Sequence, residues 1–346
     1  MLTSSHKLAI YMEDSLHSDF GKMGYGVMRY NGAQITCIID SVHAGKNINE
    51  VTSHAYPFPI VGSVEEAAAR GADVMLLGIA PSGGRIPDSW YAPMETALSK
   101  GMSIINGLHD LLAERLAAQL INPETQWIWD VRKPAFTPDI ASARAAALTN
   151  KRVLMIGTDM AIGKMTAGLE LYHWTQQQPI KSAFVATGQI GITVTGRGIP
   201  LDAYKVDLAC GAVEHVVMEA ADNDIIFIEG QGSLAHPAST ATLPLMRGSC
   251  VNRMILCHRT GVDHLRTSQD LKLPPLPEFI KLNEDVSSAC GGLPRAKVVG
   301  IAVDTSREDE QSAIQSLKDI EALTSLPTDD VVRFGAGKLG QALLDS

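Results

Sequence analysis

The sequence lacks the features that mark nucleic-acid-binding and membrane proteins. Its formal net charge is −9 over 346 residues, which argues against binding nucleic acid through backbone phosphates, because that requires a basic face. It has no apolar run near the ~18 residues of a membrane helix. Residues 1–10 lack the long apolar segment of a secretory signal. We expect a soluble, cytoplasmic homo-oligomer that acts on small-molecule substrates, with no membrane or nucleic-acid partner.

Cysteine is also scarce. The five cysteines are an odd number, and no two of them form a CxxC pair, so a disulfide framework is not expected. Cys250, Cys257 and His258 come nearest to a metal cluster. Their spacing matches no common zinc pattern, and we expect packed thiols there instead of a metal.

Apolar residues, by contrast, are abundant, at 45% of the chain, and they occur in short runs that alternate with helical stretches. Such alternation is typical of buried parallel strands joined by helices. We therefore predict an α/β fold with two domains: a Rossmann-like domain over 1–125, a linker over 126–150 with an Ala-rich helix at 140–148, and a phosphate-loop domain over 151–346. The stretch 271–279, with three prolines, is predicted to be a surface loop.

The most informative segment is 153–166. An apolar strand leads into a loop bounded by Gly157 and Gly163, and a helix follows. Glycines let backbone N–H groups approach an anion, and the helix N-terminus adds partial positive charge. Lys164 would contact a terminal phosphate, and Thr166 could ligate Mg²⁺.

The spacing departs from the common phosphate loop, because five residues separate the two glycines and Met165 intervenes before Thr166. A strand–helix turn with a surface lysine is the alternative, but the strand–loop–helix context favours anion binding. We assign the cofactor-binding residues as Gly157, Thr158, Asp159, Gly163, Lys164, Met165 and Thr166.

A second signal is the apolar run 225–228, which is followed by Glu229 and a glycine-rich turn. A carboxylate at this place is typical of the metal side of phosphate-loop proteins, so Glu229 and Thr166 would form a magnesium pair if Mg²⁺ binds. The alternative is a carboxylate that caps a turn.

Other loops are predicted to contact substrate. Residues 186–202 contain four glycines after a strand, which indicates a lid or substrate loop, and Arg197 in it suits a carboxylate. The glycine-rich stretch 20–26 lacks a proper dinucleotide fingerprint, and a nicotinamide site is not expected. The predicted substrate-binding residues are Gly188, Gln189, Arg197, Asp202, Gly83, Gly84 and Arg85.

With these residues in view, the second half resembles the dethiobiotin-synthetase-like phosphate-loop proteins. More closely, the whole chain resembles a bacterial family catalogued as a domain of unknown function, with a Rossmann-like N-terminal half and a phosphate-loop C-terminal half. The matching segments are 129–134, the phosphate loop, 187–189, 229–234 and 333–335. At least one branch of that family is known as D-glutamate N-acetyltransferase.

The resemblance implies acetyl transfer from acetyl-CoA to D-glutamate or a related small amino acid, in D-amino-acid catabolism. The phosphate loop would then hold the phosphates of coenzyme A. Such a reaction needs a base for the substrate ammonium, and Glu229 and His236 are the candidates. Two alternatives stay open: an ATP- and Mg²⁺-dependent kinase or ligase acting on a small carboxylate, and a nucleotide-sensing protein without turnover.

Overall fold

The computed structural model describes residues 2–81 and 83–346, the side chains of Asp19 and Gln269 excepted. The chain folds into two compact units. The first consists of Met1–Pro134 with Gln189–Ala203, and the second of Ala135–Gly188 with Tyr204–Ser346. No helix in the described ranges is long and apolar enough to cross a membrane.

The first unit contains a parallel sheet with the strand order β3-β2-β1-β4-β5-β6. Strands β1, β4 and β5 are buried along their whole length, which explains the nearly unbroken apolar sequences of β1 and β4. The strands are β1 Leu8–Tyr11, β2 Ile35–Ile39, β3 Ile60–Val61, β4 Val74–Leu77, β5 Ser103–Asn106 and β6 Ile128–Asp130. The helices before residue 134 are α1 Lys22–Tyr30, α2 Ile48–Val51, α3 Val64–Ala69, α4 Tyr91–Ser99 and α5 Leu112–Leu116.

The second unit contains a parallel sheet with the order β14-β13-β10-β7-β9-β8 and an antiparallel hairpin, β11-β12. The strands are β7 Lys151–Gly157, β8 Ser182–Val185, β9 Ile225–Ile228, β10 Arg253–Arg259, β11 His264–Leu265, β12 Ser268–Lys272, β13 Lys297–Asp304 and β14 Thr328–Asp329. The later helices are α6 Lys164–Thr175, α7 Gln189–Thr195, α8 Val206–Glu219, α9 Thr242–Ser249, α10 Leu276–Ser288, α11 Glu310–Thr324 and α12 Gly337–Asp345. Of these, α7 belongs to the first unit. The two-domain α/β prediction is confirmed.

The first unit continues beyond residue 125, into the segment predicted as a linker. Strand β6 pairs with β5 there, so its backbone groups complete the first sheet. The Ala-rich helix predicted at 140–148 is wrong. Only the short 3₁₀ turn Arg144–Ala147 forms, because Ala143 before it adopts a left-handed backbone with φ +60°, which an α-helix cannot contain.

Three predicted loops contain regular structure. Helix α7 occupies much of the glycine-rich loop 186–202, and α1 begins within the stretch 20–26. The stretch 271–279 includes the end of β12 and the start of α10. The glycines of α1 serve packing: a Cβ at Gly26 would lie 2.5 Å from a methyl carbon of Ile190 on α7. The glycine at position 26 therefore allows close contact between α1 and α7 and does not indicate an open loop.

Candidate phosphate-binding site

The phosphate loop lies at the carboxyl end of β7, an interior strand of the second sheet. The turn into α6 depends on Gly163, whose φ of +97° is a left-handed conformation that favours glycine. The first N–H groups of α6, at residues 164–166, have no partner within the helix. They and the positive end of the helix dipole form an environment that suits an anion.

Lys164 is the central cation of this loop. Its side chain is only 6% exposed, and Nζ donates a hydrogen bond to the carbonyl oxygen of Asp159, 2.8 Å away. Burial lowers the pKa of Lys164 to about 8, and the nearby Cys257, Asp159 and Glu229 partly offset that effect. Because an anion beside Nζ would favour the ammonium form, this position suits a phosphate.

The carboxylate of Asp159 holds the loop in shape. Oδ1 accepts from the N–H of Met160 at 2.6 Å, and Oδ2 accepts from the N–H of Arg266 at 2.7 Å. Arg266 lies in the turn of the β11–β12 hairpin. Asp159 is therefore a structural acceptor that fastens the hairpin to the loop.

Glu229 follows β9, the neighbour of β7, and is 5% exposed. Its Oε2 accepts two backbone hydrogen bonds, from Thr187 at 2.8 Å and Gly188 at 3.1 Å. The hydroxyl of Thr187 donates back to the Glu229 carbonyl at 2.9 Å. The carboxylate thus ties the chain after β8 to the chain after β9.

Burial raises the pKa of Glu229 to about 7, although the two N–H donors and Lys164 act in the opposite direction. A metal ligand must be ionised, and one of the two oxygens already serves the backbone. Among the described residues, no group of three or more His, Cys, Asp and Glu side chains is placed to hold a metal. The magnesium pair of Glu229 and the half-buried Thr166 stays a prediction.

His236 is 2% exposed, and both ring nitrogens have hydrogen-bond partners. Nδ1 accepts from the N–H of Ala238 at 3.1 Å, so the proton of the neutral ring is on Nε2. Nε2 is bonded to the hydroxyl of Thr267 and lies 4.0 Å from Oδ1 of Asp159. The ring has no free lone pair to take a substrate proton, and this arrangement favours a positioning role.

Strand β10 pairs with β7, and two of its residues contact the phosphate loop. Thr158 donates its N–H to the Cys257 carbonyl at 3.1 Å, and its hydroxyl lies 3.1 Å from Nδ1 of His258. Burial raises the pKa of Cys257 to about 12 and lowers the pKa of His258 to about 4. Cys250 is buried at the end of α9. These groups are packed, neutral side chains.

The remaining predicted residues of this region lie around the same loop. A Cβ at Gly157 would lie 3.0 Å from Nζ of Lys164, and one at Gly188 would lie 3.2 Å from Oε1 of Glu229. Met165 and Thr166 are half-buried in the first turn of α6. The structure thus brings Gly157–Thr166, Gly188, Glu229 and His236 together in the second unit.

The other predicted substrate residues belong to the first unit. Gly83, Gly84 and Arg85 follow β4, and both glycines have positive φ. The Gly84 carbonyl accepts the His109 N–H at 2.8 Å. Burial lowers the pKa of His109, and the charges of Arg132 and Arg85 act in the same direction. This loop therefore presents the exposed cation of Arg85 at the carboxyl edge of the first sheet.

Gln189, Arg197 and Asp202 also belong to the first unit. Gln189 begins α7, and its hydrocarbon part packs near Gly107. Arg197 is exposed. Asp202 forms an ion pair with Arg132, whose Nε donates to the Gly107 carbonyl at 2.7 Å. Arg132 thus already neutralises Asp202.

Sequence reasoning missed the hairpin residues Arg266 and Thr267 and the amide of Gln231, which donates to the Thr187 carbonyl. The hairpin contacts join positions about a hundred residues apart, and no local pattern indicates them. Gln231 stands in the glycine-rich turn after Glu229, which was a usable signal.

Comparison with known proteins agrees with this architecture. Residues 41–134 match the Rossmann-like N-terminal domain of the DUF1611 family, a domain of unknown function, and residues 139–340 match its C-terminal P-loop domain. A DUF1611 family protein from Anabaena variabilis, known from a crystal structure, has a TM-score of 0.94 at 45% identity, over 99% of this chain and 100% of its own.

Two curated relatives are named D-glutamate N-acetyltransferase. The one from Tritonibacter scottomollicae is 36% identical over 81% of this chain and 84% of its own length. The one from a Pseudoalteromonas species is 32% identical over 80% and 83%. The two matched domains and these relatives show that the chain belongs to the DUF1611 family.

Proposed function

We propose that the chain is an N-acetyltransferase that moves the acetyl group of acetyl-CoA to the amino group of D-glutamate or a related small amino acid. The observation that carries the proposal is the similarity to two relatives of that name over four-fifths of the chain. Acetyl-CoA as donor and a role in D-amino-acid catabolism are part of the proposal.

The phosphate loop is the proposed site for the phosphates of coenzyme A. A buried lysine whose pKa is lowered to about 8 and the unpaired N–H groups of a helix N-terminus suit a pyrophosphate or a ribose phosphate. The anion would accept the hydrogen bond that Nζ of Lys164 now donates to the carbonyl oxygen of Asp159. In this proposal the loop contributes to binding and not to bond making.

The length of coenzyme A limits what Glu229 and His236 can do. The chain from pyrophosphate to sulfur has about twelve bonds and spans roughly 15 Å when extended, from standard bond lengths. A base must lie within hydrogen-bond reach of the amine. Groups beside the phosphate loop would then be far from the thioester. We therefore propose positioning roles: Glu229 for residues 187–188, and His236 for the hairpin.

The proposed reaction needs no metal, because acetyl transfer moves no phosphoryl group whose charge a cation would have to neutralise. The proposed reaction is direct attack of the neutral amine on the thioester carbonyl carbon. The thiolate of coenzyme A is the leaving group.

The test is an assay of the purified full-length chain with acetyl-CoA and a panel of D- and L-amino acids. We expect release of free thiol and formation of an N-acetylated product, detected by mass spectrometry, with D-glutamate or a close relative. ATP with Mg²⁺ in place of acetyl-CoA is the second arm. Phosphate or ADP release that depends on an amino acid, without thiol release, would support the kinase or ligase alternative instead.

A further inference from the structure

An aspartate–histidine pair lies outside the phosphate loop, at the carboxyl edge of the first sheet. Asp40 directly follows β2 and is fully buried. Its Oδ2 lies 2.5 Å from Nδ1 of His43, and its Oδ1 accepts the Asp14 N–H at 2.9 Å. Because a carboxylate only accepts hydrogen bonds, Nδ1 of His43 carries the proton. The lone pair of the neutral ring is therefore on Nε2.

The surroundings hold this pair in place. Glu13 accepts hydrogen bonds from the N–H and the hydroxyl of Ser41, which ties the chain after β1 to the chain after β2. The ring of His17 packs edge-on against His43 at 5.4 Å between centroids. The His43 side chain is 21% exposed, and within the described residues its Nε2 has no hydrogen-bond partner. The ring is thus oriented and partly exposed, and its basic nitrogen is not used by the described residues.

The pair stands where open parallel sheets bind their ligands. Strand β1 lies between β2 and β4, so the strand order reverses at β1, and ligands bind at the carboxyl ends beside such a point. Arg85, which follows β4, lies at the same edge and offers a cation for a carboxylate.

A dinucleotide role does not account for Asp40. In nucleotide-binding Rossmann folds an acid in this region bonds a ribose hydroxyl, whereas both oxygens of Asp40 already have partners and the side chain is fully buried. Burying a carboxylate is costly. An aspartate that fixes the tautomer of an accessible histidine is the arrangement by which catalytic sites prepare a general base.

We propose that His43, oriented by Asp40, accepts the proton of the amino group of an amino acid bound at this edge of the first unit. This inference rests on the proposed acetyl transfer. Nε2 takes one proton from the substrate ammonium and passes it to water. The neutral amine that remains is the nucleophile that the proposed acetyl transfer requires.

The test compares His43→Gln and Asp40→Asn with wild type in the thiol-release assay over a range of pH. Both variants should lower kcat at least about 100-fold, the usual contribution of a general base, with little change in the KM for acetyl-CoA. The Asn amide would donate to Nδ1 and force the proton onto Nε2, so the ring is kept but its basic nitrogen is lost. The low-pH decline of kcat/KM should disappear in His43→Gln.

The groups whose titration could be mistaken for that of His43 are Asp40, Glu13, His17 and Tyr11. Burial raises the pKa of Tyr11 to about 12, and the charges of Glu13 and Asp40 add to it. His17→Gln removes the neighbouring imidazole and should keep the pH profile. His6→Gln, ahead of β1 with its ring bonded to Thr3, is the matched control and should keep full activity.

A separate readout distinguishes failure of this inference from failure of the proposed function. The imidazole signals of His43, assigned by loss in His43→Gln, should shift on addition of D-glutamate alone. If wild type is active and His43→Gln keeps kcat within threefold of it, the proposed role of His43 and Asp40 is wrong, and the proposed acetyl transfer is unaffected. If wild type shows no acetyl transfer, a His43 shift still supports an amino-acid site here. The absence of that shift overturns the site as well.

Discussion

Lys164 and Glu229 are two buried ionisable side chains whose pKa values burial moves in opposite directions, down to about 8 and up to about 7. Each therefore changes charge close to neutral pH. A phosphate at the loop would favour the ammonium form of Lys164. We infer that ligand affinity at this loop falls as the pH rises above about 8.

The raised pKa of Glu229 also has a consequence for stability. Between pH 4.5, the ordinary value, and about 7 the carboxyl is ionised only in the unfolded state, so wild type loses stability as the pH rises through that range. Glu229→Gln does not titrate. The stability of this variant relative to wild type should therefore increase by about 2–3 kcal/mol between pH 4.5 and pH 8, measured by urea unfolding at several pH values.

Glu124→Gln is the matched control, because the Glu124 side chain is exposed and solvent screens its charge. Its stability relative to wild type should change little over the same range. A constant difference between Glu229→Gln and wild type from pH 4.5 to 8 would mean that Glu229 is ionised in the folded protein throughout.

At the level of secondary structure, close packing of β7 against the turn after β9 determines the shape of the phosphate loop. A Cβ added at Gly230 would overlap the carbonyl oxygen of Met155, a backbone atom of β7 that cannot rotate away. Gly230→Ala should therefore destabilise the fold by about 3 kcal/mol or more or prevent folding. Thermal unfolding and soluble yield measure the effect.

Gly337→Ala is the matched control for this substitution. Gly337 begins α12, and its nearest neighbour would be 3.7 Å from the added Cβ, an ordinary contact. Since alanine is a better helix former than glycine, this variant should be as stable as wild type or more so. Equal melting temperatures for both variants would show that the backbone at Gly230 moves freely.

Some strands, helices and loops could be predicted from the sequence alone, and others could not. The continuous apolar runs of β4 and β7 and the glycine-bounded loop before α6 are local signals, and they predicted the two sheets and the phosphate loop. Helix α7 could not be predicted in this way, because the four glycines of the segment 186–202 indicate a loop until the contact between Ile190 and Gly26 of α1 is known. The hairpin contact with Asp159 depends on tertiary structure alone.

The whole molecule combines a phosphate loop with a proposed reaction that transfers no phosphoryl group. Activity with acetyl-CoA and D-glutamate should therefore survive excess EDTA, because no phosphoryl charge needs neutralising in the chemical step. Thiol release before and after EDTA treatment measures this. If EDTA abolishes turnover and Mg²⁺ alone restores it, the metal-independent reaction is wrong and the kinase or ligase alternative gains support.

The proposed role of the phosphate loop is to hold coenzyme A in an acyltransferase, and the KM for acetyl-CoA in Lys164→Met tests this role most directly. With D-glutamate as acceptor, this variant should raise that KM at least about tenfold, since it removes a charge contact with phosphate, and should leave kcat within a few-fold, because the loop binds the donor far from the reacting carbon. Lys181→Met, an exposed lysine ahead of β8, should match wild type. An unchanged KM in Lys164→Met, or no thiol release by wild type with any amino acid, would contradict the account.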